Sequence, residues 1–511
     1  MQEGATKLLF VSPERLGNSA LLAALRNRMP LSLVVVDEAH CISEWGHSFR
    51  PSYFRLAKEL DQNITTRSVL AITATATKST EVDLCNALQI SSSNVMRDKT
   101  IRSNLKLHVL RAFSSSSDNP EGCGRIVRLL QKGPLVHARS IIIFCAWKRD
   151  VESLTKSLLH AGINSEAYHA GRHHNDRDAI ERAFRDGKLR VVVATLAFGM
   201  GIDISTVDAV IHANMPRSLE EYVQQIGRAG RNEIEANCYL YLIDSDFLAL
   251  RSLAFSGMVE REGICVLMSA LFEERNDCQV PYFQNLPLQK LALQSDISEE
   301  SIETLLAYLE DLMPDAIDIL PKMPLKVKVS FYDGSPEQLA LRSEAVKALL
   351  SLCPRPRNGV YSAMTSQLAN EMKKPPAAVL EELQFIASEK LIGFNFSQEQ
   401  GVMVKVLSRP VNLASLTDQL YSRYRKLVMH QVLRLDNAYR VFDLAVSAAF
   451  SSSGEDSEQS LRRSLDHYFS GSAELCPEDI HEDMSGLPLK DVHSGVQKAA
   501  EAVCREDSSR V

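Results

Sequence analysis

The stretch LVVVDEAH, at residues 33–40, decides the fold of this chain: an apolar run leads directly into two adjacent carboxylates, Asp37 and Glu38. An uninterrupted apolar run predicts a strand of a parallel sheet that is covered on both faces. The carboxylates then lie at the carboxyl edge of the sheet, where α/β proteins form ligand sites. Such a pair is typical of the half of a nucleotide site that holds Mg²⁺ and activates water. Taken alone, it is equally compatible with a plain surface position.

Seven similar runs lie before about residue 250, and helical patterns separate them. They are residues 8–11, 69–72, 105–110, 141–144, 191–194, 209–212 and 238–242. Strands that alternate with helices form parallel sheets with helices on both faces. The sequence therefore predicts two doubly wound α/β lobes with a boundary near residue 100, the first lobe lacking its opening strands.

The loop that grips phosphates in such a site has the form G-x-x-x-x-G-K-[ST] and precedes the carboxylate strand. None of the 36 residues before Asp37 forms it, and the one Gly-Lys pair, Gly187-Lys188, is followed by Leu189. We therefore predict that this chain alone cannot hydrolyse ATP. Three explanations stay open: a fragment of an active enzyme, a short product that binds DNA or a partner, and a chain that receives its missing strands from another.

The loop that follows the carboxylates, HCISEWGHSFRP at residues 40–51, is rich in aromatic and basic residues. It contains Trp45, His47, Phe49 and Arg50. Aromatic rings interleaved with a cation are what single-stranded bases stack upon, with the cation available for phosphate. The alternative is a loop that packs on its own lobe.

With these motifs the chain resembles the RecQ helicases of helicase superfamily two. The motifs occur in the order of the family: SPER at 12–15, DEAH at 37–40, TATAT at 73–77, YHAG at 168–171, ATLAFGMGID at 194–203 and QQIGRAGR at 224–231. The resemblance covers residues 7 to about 250. It implies two RecA-like lobes and an ATP-dependent 3′→5′ DNA helicase that acts in recombination, repair and replication.

The resemblance also implies roles for single residues. Asp37 would hold Mg²⁺ through water, Glu38 would act on the attacking water, and Arg231 would be the arginine finger with Arg228 as its companion. The two arginines are three residues apart on a predicted helix and would share a face. The residues expected to bind the cofactor ATP are Asp37, Glu38, His40, Gly201, Asp203, Arg228 and Arg231. Those expected to contact DNA are Ser12, Arg15, Trp45, His47, Phe49, Arg50, His169 and Thr195.

The chain departs from the family pattern in three places. Gln225 stands where the family usually has Glu, and Asn232-Glu233 stands where it has Asp-Gly. The zinc module of the family is absent, because the 10 cysteines include no C-x-x-C pair. We therefore predict no zinc site.

After residue 250 the pattern predicts a mainly helical, winged-helix-like carboxyl region. We expect a helix over 297–310 capped by Ser298, two helices over 367–390, and a hairpin of 391–396 with 402–407 around Gly401. The expected domains are 1–100, 101–255, 256–450, and a linker, short helix and acidic tail over 451–511. Residues 286–310 and 416–470 resemble the Rothmund–Thomson-type or plant RecQ-like branch of the family.

A basic stripe runs along the helix predicted from 416. Arg423, Lys426, His430 and Arg434 recur at helical spacing, opposite an apolar face. A solvated face is favoured over a contact with the DNA backbone.

The net charge is −7, so DNA contact has to come from local grooves and not from a global basic field. The expected partner is single-stranded and branched DNA, without a membrane. The scattered cysteines and the absence of a signal peptide indicate a reducing compartment. We expect the nucleus, either alone or together with the cytoplasm.

Overall fold

The computed structural model describes residues 8–16, 21, 25, 31–44, 50–62, 64–112, 120–198, 204, 207–272, 280–332, 335–356, 358–449 and 456–471. Within these ranges no helix is both long and apolar enough to cross a membrane.

The described residues of the first lobe include two strands, three α-helices and the 3-10 helices Ala39–Ile42 and Ser92–Asn94. The strands and α-helices are α1 (Pro13–Leu16), β1 (Val34–Val36), α2 (Pro51–Gln62), β2 (Val69–Ala71) and α3 (Lys78–Ala87). The strands pair in parallel from Val34 opposite Val69 to Val36 opposite Ala71, as the sequence predicted. The strand predicted over 8–11 is wrong: no strand of the described part pairs with it, and Phe10 is 87% exposed. An extended segment without a neighbour forms no ladder.

The second lobe is built on a six-stranded parallel sheet of order β3-β8-β7-β4-β6-β5. Its strands are β3 (Leu105–Arg111), β4 (Ile141–Phe144), β5 (Ser165–Tyr168), β6 (Val191–Ala194), β7 (Ala209–His212) and β8 (Ala236–Leu242). Its helices are α4 (Pro120–Gln131), α5 (Lys148–His160), α6 (His174–Arg185), α7 (Leu219–Ile226) and α8 (Asp244–Ser256). Five of these strands were predicted, and β5 was missed.

A third region follows, with two three-stranded antiparallel sheets, β10-β14-β9 and β12-β11-β13. Its strands are β9 (Tyr282–Leu286), β10 (Ile317–Pro324), β11 (Lys326–Phe331), β12 (Val360–Met364), β13 (Ile392–Phe396) and β14 (Gln400–Val406). Its helices are α9 (Arg261–Phe272), α10 (Leu288–Ser295), α11 (Glu299–Leu312), α12 (Pro336–Ala340), α13 (Glu344–Leu352), α14 (Thr365–Met372) and α15 (Pro376–Ser388). Ser298 accepts a hydrogen bond from the N–H of Ser301 and caps α11 as predicted.

The predicted hairpin around Gly401 is wrong. Although β13 and β14 follow one another in the chain, β13 pairs with β11 and β14 lies between β9 and β10. At Gly401 a Cβ atom would lie 2.3 Å from Oδ1 of Asn285, so the close approach of β9 requires glycine there. The residue marks the contact with a distant strand and not a turn.

The last two helices, α16 (Leu413–Ala448) and α17 (Ser457–Ser470), tie the regions together. The amino-terminal half of α16 packs in the core of the third region through Leu416, Leu420, Tyr424 and Val428. Its carboxyl-terminal half and α17 pack in the core of the second lobe, with Phe442 and Leu465 fully buried. The short helix expected within a separate tail is therefore part of the second lobe. The limits at 100, 255 and 450 stay predictions.

The predicted solvated face of α16 is wrong for three of its four basic residues. His430 is partly buried, and burial lowers its pKa to about 3. Arg423 pairs with Glu44 and Asp311, and Arg434 lies 3.7 Å from Glu220. Of the four basic residues of the predicted stripe, Lys426 is the exposed one.

Candidate functional site between the lobes

The carboxylates Asp37 and Glu38 follow β1 in a tight turn at the carboxyl edge of the sheet. Glu38 has φ 48° and ψ 42°, the left-handed conformation. Its N–H donates to Oδ1 of Asp37 at 2.9 Å, and the N–H of Ala39 donates to the carbonyl of Ile72 at 3.0 Å. A non-glycine residue in this conformation is strained by roughly 1–2 kcal/mol, and such strain persists where the surroundings hold it at a functional site.

The charge around Glu38 comes from both lobes. Burial, and then the charge of Asp37, raise the pKa of Glu38, while Arg228 of the second lobe and Arg50 oppose the rise. The two carboxylates therefore repel each other, and a bound cation would relieve that repulsion. The donor set thus fits Mg²⁺, with the exposed Asp37 as the accessible oxygen donor.

His40 connects the carboxylates to the TATAT motif. Its ring is 2% exposed, and Nδ1 lies 3.0 Å from Oγ1 of Thr73 and 3.4 Å from Oε2 of Glu38. The buried ring of His40 therefore lies in contact with both Glu38 and Thr73.

The arginines of the second lobe do not share a helical face, so that prediction is wrong. Helix α7 ends at Ile226, and Gly230 has φ +62°, which turns the chain between Arg228 and Arg231. Arg228 is 8% exposed, whereas Arg231 is exposed. Burial, together with the charge of Arg231, lowers the pKa of Arg228 to about 10, and Glu38 opposes this. The structure thus brings Arg228 and Glu38 into electrostatic range across the cleft.

Two residues that the sequence did not single out brace the arginine loop. Nη2 of Arg102 donates to the carbonyls of Gly227 at 2.5 Å and Ala229 at 2.7 Å. Nδ2 of Asn104 donates to the carbonyls of Gly230 and Ile234 at 2.8 and 2.7 Å. Both stand just before β3, more than 120 residues away in the chain, and no local pattern indicates them.

Three of the predicted DNA-contacting residues lie together on the first lobe. Ser12, Arg15 and Arg50 are exposed, and Ser12 and Arg50 lie close to the carboxylate of Glu14. Burial raises the pKa of Glu14, but its own N–H, the hydroxyls of Ser52 and Ser12, and Arg50 outweigh burial and leave the pKa below its usual value. Five further candidates lie outside the described residues: Trp45, His47, Phe49, Gly201 and Asp203.

The two predicted DNA-contacting residues of the second lobe, His169 and Thr195, differ in their surroundings. The largely buried ring of His169 has Nε2 at 2.9 Å from Oε1 of Glu152, and its Nδ1 accepts from the N–H of Gly171 at 3.1 Å. Both ring nitrogens are therefore engaged within the lobe. Thr195 follows β6 and lines a cavity of about 230 Å³, together with Lys148 and Arg217, which the sequence did not single out. Lys148 opens the helix after β4, a position that could have indicated it.

Gln225 stands where the family usually has Glu, and its hydrogen bond to His212 explains why an amide suits this position. Burial lowers the pKa of His212 to about 4, so its ring is neutral and Nε2–H donates to Oε1 of Gln225 at 2.7 Å. Nε2 of Gln225 in turn donates to Glu221 at 3.0 Å. An amide can accept from one neighbour and donate to the other, which a carboxylate at this position cannot do.

Two family models match the chain. The DEAD/DEAH box helicase model matches residues 1–83, and the helicase conserved C-terminal domain model matches residues 125–233. The two α/β lobes are therefore RecA-like helicase lobes, as predicted.

Proteins of similar sequence identify the family to which this helicase-like chain belongs. The chain is 33% identical over 92% of its length to "ATP-dependent DNA helicase Q-like 5" of Arabidopsis thaliana. It is 30% identical over 89% of its length to "ATP-dependent DNA helicase Q4" of Mus musculus, and 37% identical over 50% of its length to "ATP-dependent DNA helicase RecQ" of Pasteurella multocida. The chain belongs to the RecQ family of DNA helicases. It spans 51%, 42% and 38% of the length of these relatives.

Proposed function

We propose that this chain carries the DNA-gripping and arginine-bearing parts of an ATP-dependent 3′→5′ DNA helicase of RecQ type, which acts in nuclear recombination, repair and replication. One observation supports it most: Glu38 of the first lobe and Arg228 of the second are electrostatically coupled across the cleft. Carboxylates on one wall and a permanently charged guanidinium on the other suit phosphoryl transfer.

Each group in the cleft then has a role. ATP and Mg²⁺, when bound, supply the phosphoryl group and the charge that neutralises it. Asp37 would hold the metal through water, and Glu38 would orient and deprotonate the attacking water. Arg231, exposed beyond the turn at Gly230, would reach the γ-phosphate as the arginine finger, with Arg228 behind it. His40 would couple this chemistry to the DNA groove through Thr73.

The DNA groove would run over the same edges of both lobes. Ser12, Arg15 and Arg50 would meet phosphates on the first lobe, and Thr195 would meet them on the second. Trp45 and Phe49 would stack on bases, since every base offers a ring face regardless of sequence. His47 and His169 remain predicted DNA contacts, and Gly201 and Asp203 remain predicted contacts of the nucleotide.

A second candidate function is a protein that binds DNA or a partner without hydrolysis. The observation in its favour is that no G-x-x-x-x-G-K-[ST] loop occurs within the 511 residues. The first lobe also exposes apolar side chains, with Leu8 71%, Leu33 51% and Val35 50% exposed. Such a surface is one that another chain can cover.

Fluorescence anisotropy with a labelled single strand tests the DNA contact that both candidates share. Trp45→Ala and Phe49→Ala should each weaken binding by about 1–3 kcal/mol with little dependence on base sequence. Arg50→Ala should in addition reduce the slope of log affinity against log salt concentration. The reduction should equal the contribution of about one phosphate contact.

The matched control is Arg67→Ala. Arg67 is exposed, like Arg50, but lies before β2 at the opposite edge of the sheet. If Arg50→Ala and Arg67→Ala bind with the same affinity and the same salt dependence, the proposed DNA contact of the first lobe is wrong.

A further inference from the structure

One face of the sheet β12-β11-β13 in the third region is uncovered. Val327 and Val329 of the central strand β11 are fully buried, and they pack in the core that this region forms with α13, α14 and α15. Successive side chains of a strand point to opposite faces of its sheet. Lys326 and Lys328 therefore lie on the face away from the helices, and both are exposed.

The strand register places polar side chains in a row across this face. Lys328 lies opposite Ser362 of β12 on one side and opposite Asn395 of β13 on the other, and all three residues are exposed. The three strands have the sequences KVKVSF, VYSAM and IGFNF, without an aspartate or a glutamate. The face is therefore positively charged, and no carboxylate of its own strands competes for its hydrogen-bond donors.

An aromatic ring lies at one end of the same face. Tyr332 follows β11 directly, and its N–H donates to the carbonyl of Leu391 at 3.1 Å. A Cβ atom at Gly393 of β13 would lie 2.9 Å from Cε2 of Tyr332 and closer still to its Oη, so the hydroxyl end of the ring lies against the backbone of the glycine. Tyr332 is still 72% exposed. The sheet thus supports one side of the ring and leaves the other side accessible.

We propose that this face of the third region is a second binding site for single-stranded DNA, separate from the contacts proposed for the two lobes. A base stacks on the accessible side of Tyr332, and phosphates bind Lys326 and Lys328, with Ser362 and Asn395 as further hydrogen-bond donors. Tyr332 and Lys328 are four residues apart along an extended chain, roughly 13 Å at 3.3 Å per residue. The stacked base and the bound phosphate therefore belong to different nucleotides of one strand.

The combination of charge and ring favours DNA over an acidic peptide. A peptide carboxylate would use the two lysines and would leave the open side of the ring without a partner. A single strand uses both, because every base offers a ring face and every nucleotide carries a negative charge.

Photocrosslinking tests the position of the base. The full chain is irradiated with an oligothymidylate in which iodouracil replaces thymine, because iodouracil couples on irradiation to an aromatic ring that stacks on it. The cross-linked peptides are identified by mass spectrometry. We expect a cross-link at Tyr332. Both Tyr332→Ala and Gly393→Ala should abolish it, the second because the new Cβ atom displaces the ring while keeping it in the chain.

Fluorescence anisotropy on the same full chain measures what the site contributes to affinity. Tyr332→Ala should weaken binding of the oligothymidylate about tenfold, and Tyr332→Phe should bind as the parent does, because it keeps the ring face. Lys328→Gln should lower the slope of log affinity against log salt concentration by about 0.7. The matched controls lie on the helical side of the region: Phe385→Ala, 65% exposed on α15, and Lys347→Gln, exposed on α13. Neither control should change affinity or slope.

If either the cross-link at Tyr332 or the loss of affinity in Tyr332→Ala is absent, the inference is wrong. Equal effects of Lys328→Gln and Lys347→Gln would mean that the attraction is diffuse, and would overturn it as well. Polyglutamate that suppresses the cross-link as well as unlabelled oligothymidylate does, at equal charge, would assign the face to an acidic peptide instead. An unchanged affinity in Arg50→Ala would count against the proposed contact of the first lobe while the Tyr332 cross-link remains.

Discussion

Truncating Phe442 to alanine tests whether the end of α16 belongs to the core of the second lobe. The ring is 0% exposed and packs edge to face on Tyr222, with centroids 5.1 Å apart and planes at 71°. Phenylalanine-to-alanine changes in packed cores cost about 3–5 kcal/mol. Because the aromatic pair adds to the lost burial, we expect Phe442→Ala to lower the free energy of unfolding of this lobe by about 4 kcal/mol.

Urea unfolding followed by tryptophan fluorescence measures this loss. In a Trp45→Phe background the signal comes from Trp147, which packs against the same core. The matched control is Leu444→Ala on the same helix, because Leu444 is 58% exposed. The control should shift the free energy of unfolding by no more than about 0.5 kcal/mol.

An equal effect of the two substitutions would refute the reasoning. It would mean that α16 rests on the surface of the second lobe without contributing to its core.

Other sites give further expected outcomes. Glu233 has φ +66°, so Glu233→Gly should raise the thermal midpoint by relieving roughly 1 kcal/mol of strain; calorimetry that shows a lowered midpoint would count against this. The unfolded chain protonates His212 near pH 6.5 and the folded chain only at about 4. Stability is therefore complete above pH 6.5 and should fall by roughly 3 kcal/mol towards pH 4, and His212→Asn should remove much of this pH dependence of the urea midpoint. Limited proteolysis should remove residues 1–100 before 101–250, because a two-stranded sheet leaves Leu33 and Val35 about half exposed; earlier loss of 101–250 would contradict this.

Most strands of the two lobes could be predicted because central strands of a parallel sheet are buried on both faces. Val191–Ala194 and Ala209–His212 are entirely buried, and such positions leave little room for polar residues. Ser165–Tyr168 was missed because it is an edge strand, with one neighbour and an exposed Glu166. An edge strand need not be apolar, so its sequence carries a weaker signal.

Pairings between distant segments could not be predicted. The helical spacing of Arg423 and Arg434 identifies a face of α16, but the acidic partners stand far away in the chain. Glu44 is 379 residues from Arg423. The prediction of a hairpin around Gly401 is wrong for the same reason. Strand β14 pairs with β9 and β10, which lie far from it in the chain.

The sequence predicted which residues form the candidate site, but it did not predict how they are arranged. The motifs indicated that Glu38 and Arg228 belong to one site, and the structure brings them into electrostatic range. The turn at Gly230 and its bracing by Arg102 and Asn104 depend on residues from before β3, which no spacing within the motif indicates.

The central proposal is that this chain binds DNA and that, without the phosphate-binding loop, it does not hydrolyse ATP by itself. The most direct test measures ATP turnover and single-strand binding on one preparation, with Glu38→Gln as the control. Positioning accounts for about 7–11 kcal/mol of a barrier in well-oriented reactions, so a chain without the phosphate-binding loop should bind DNA and show no DNA-stimulated turnover above that of Glu38→Gln. Robust DNA-stimulated turnover that Glu38→Gln abolishes would contradict the claim.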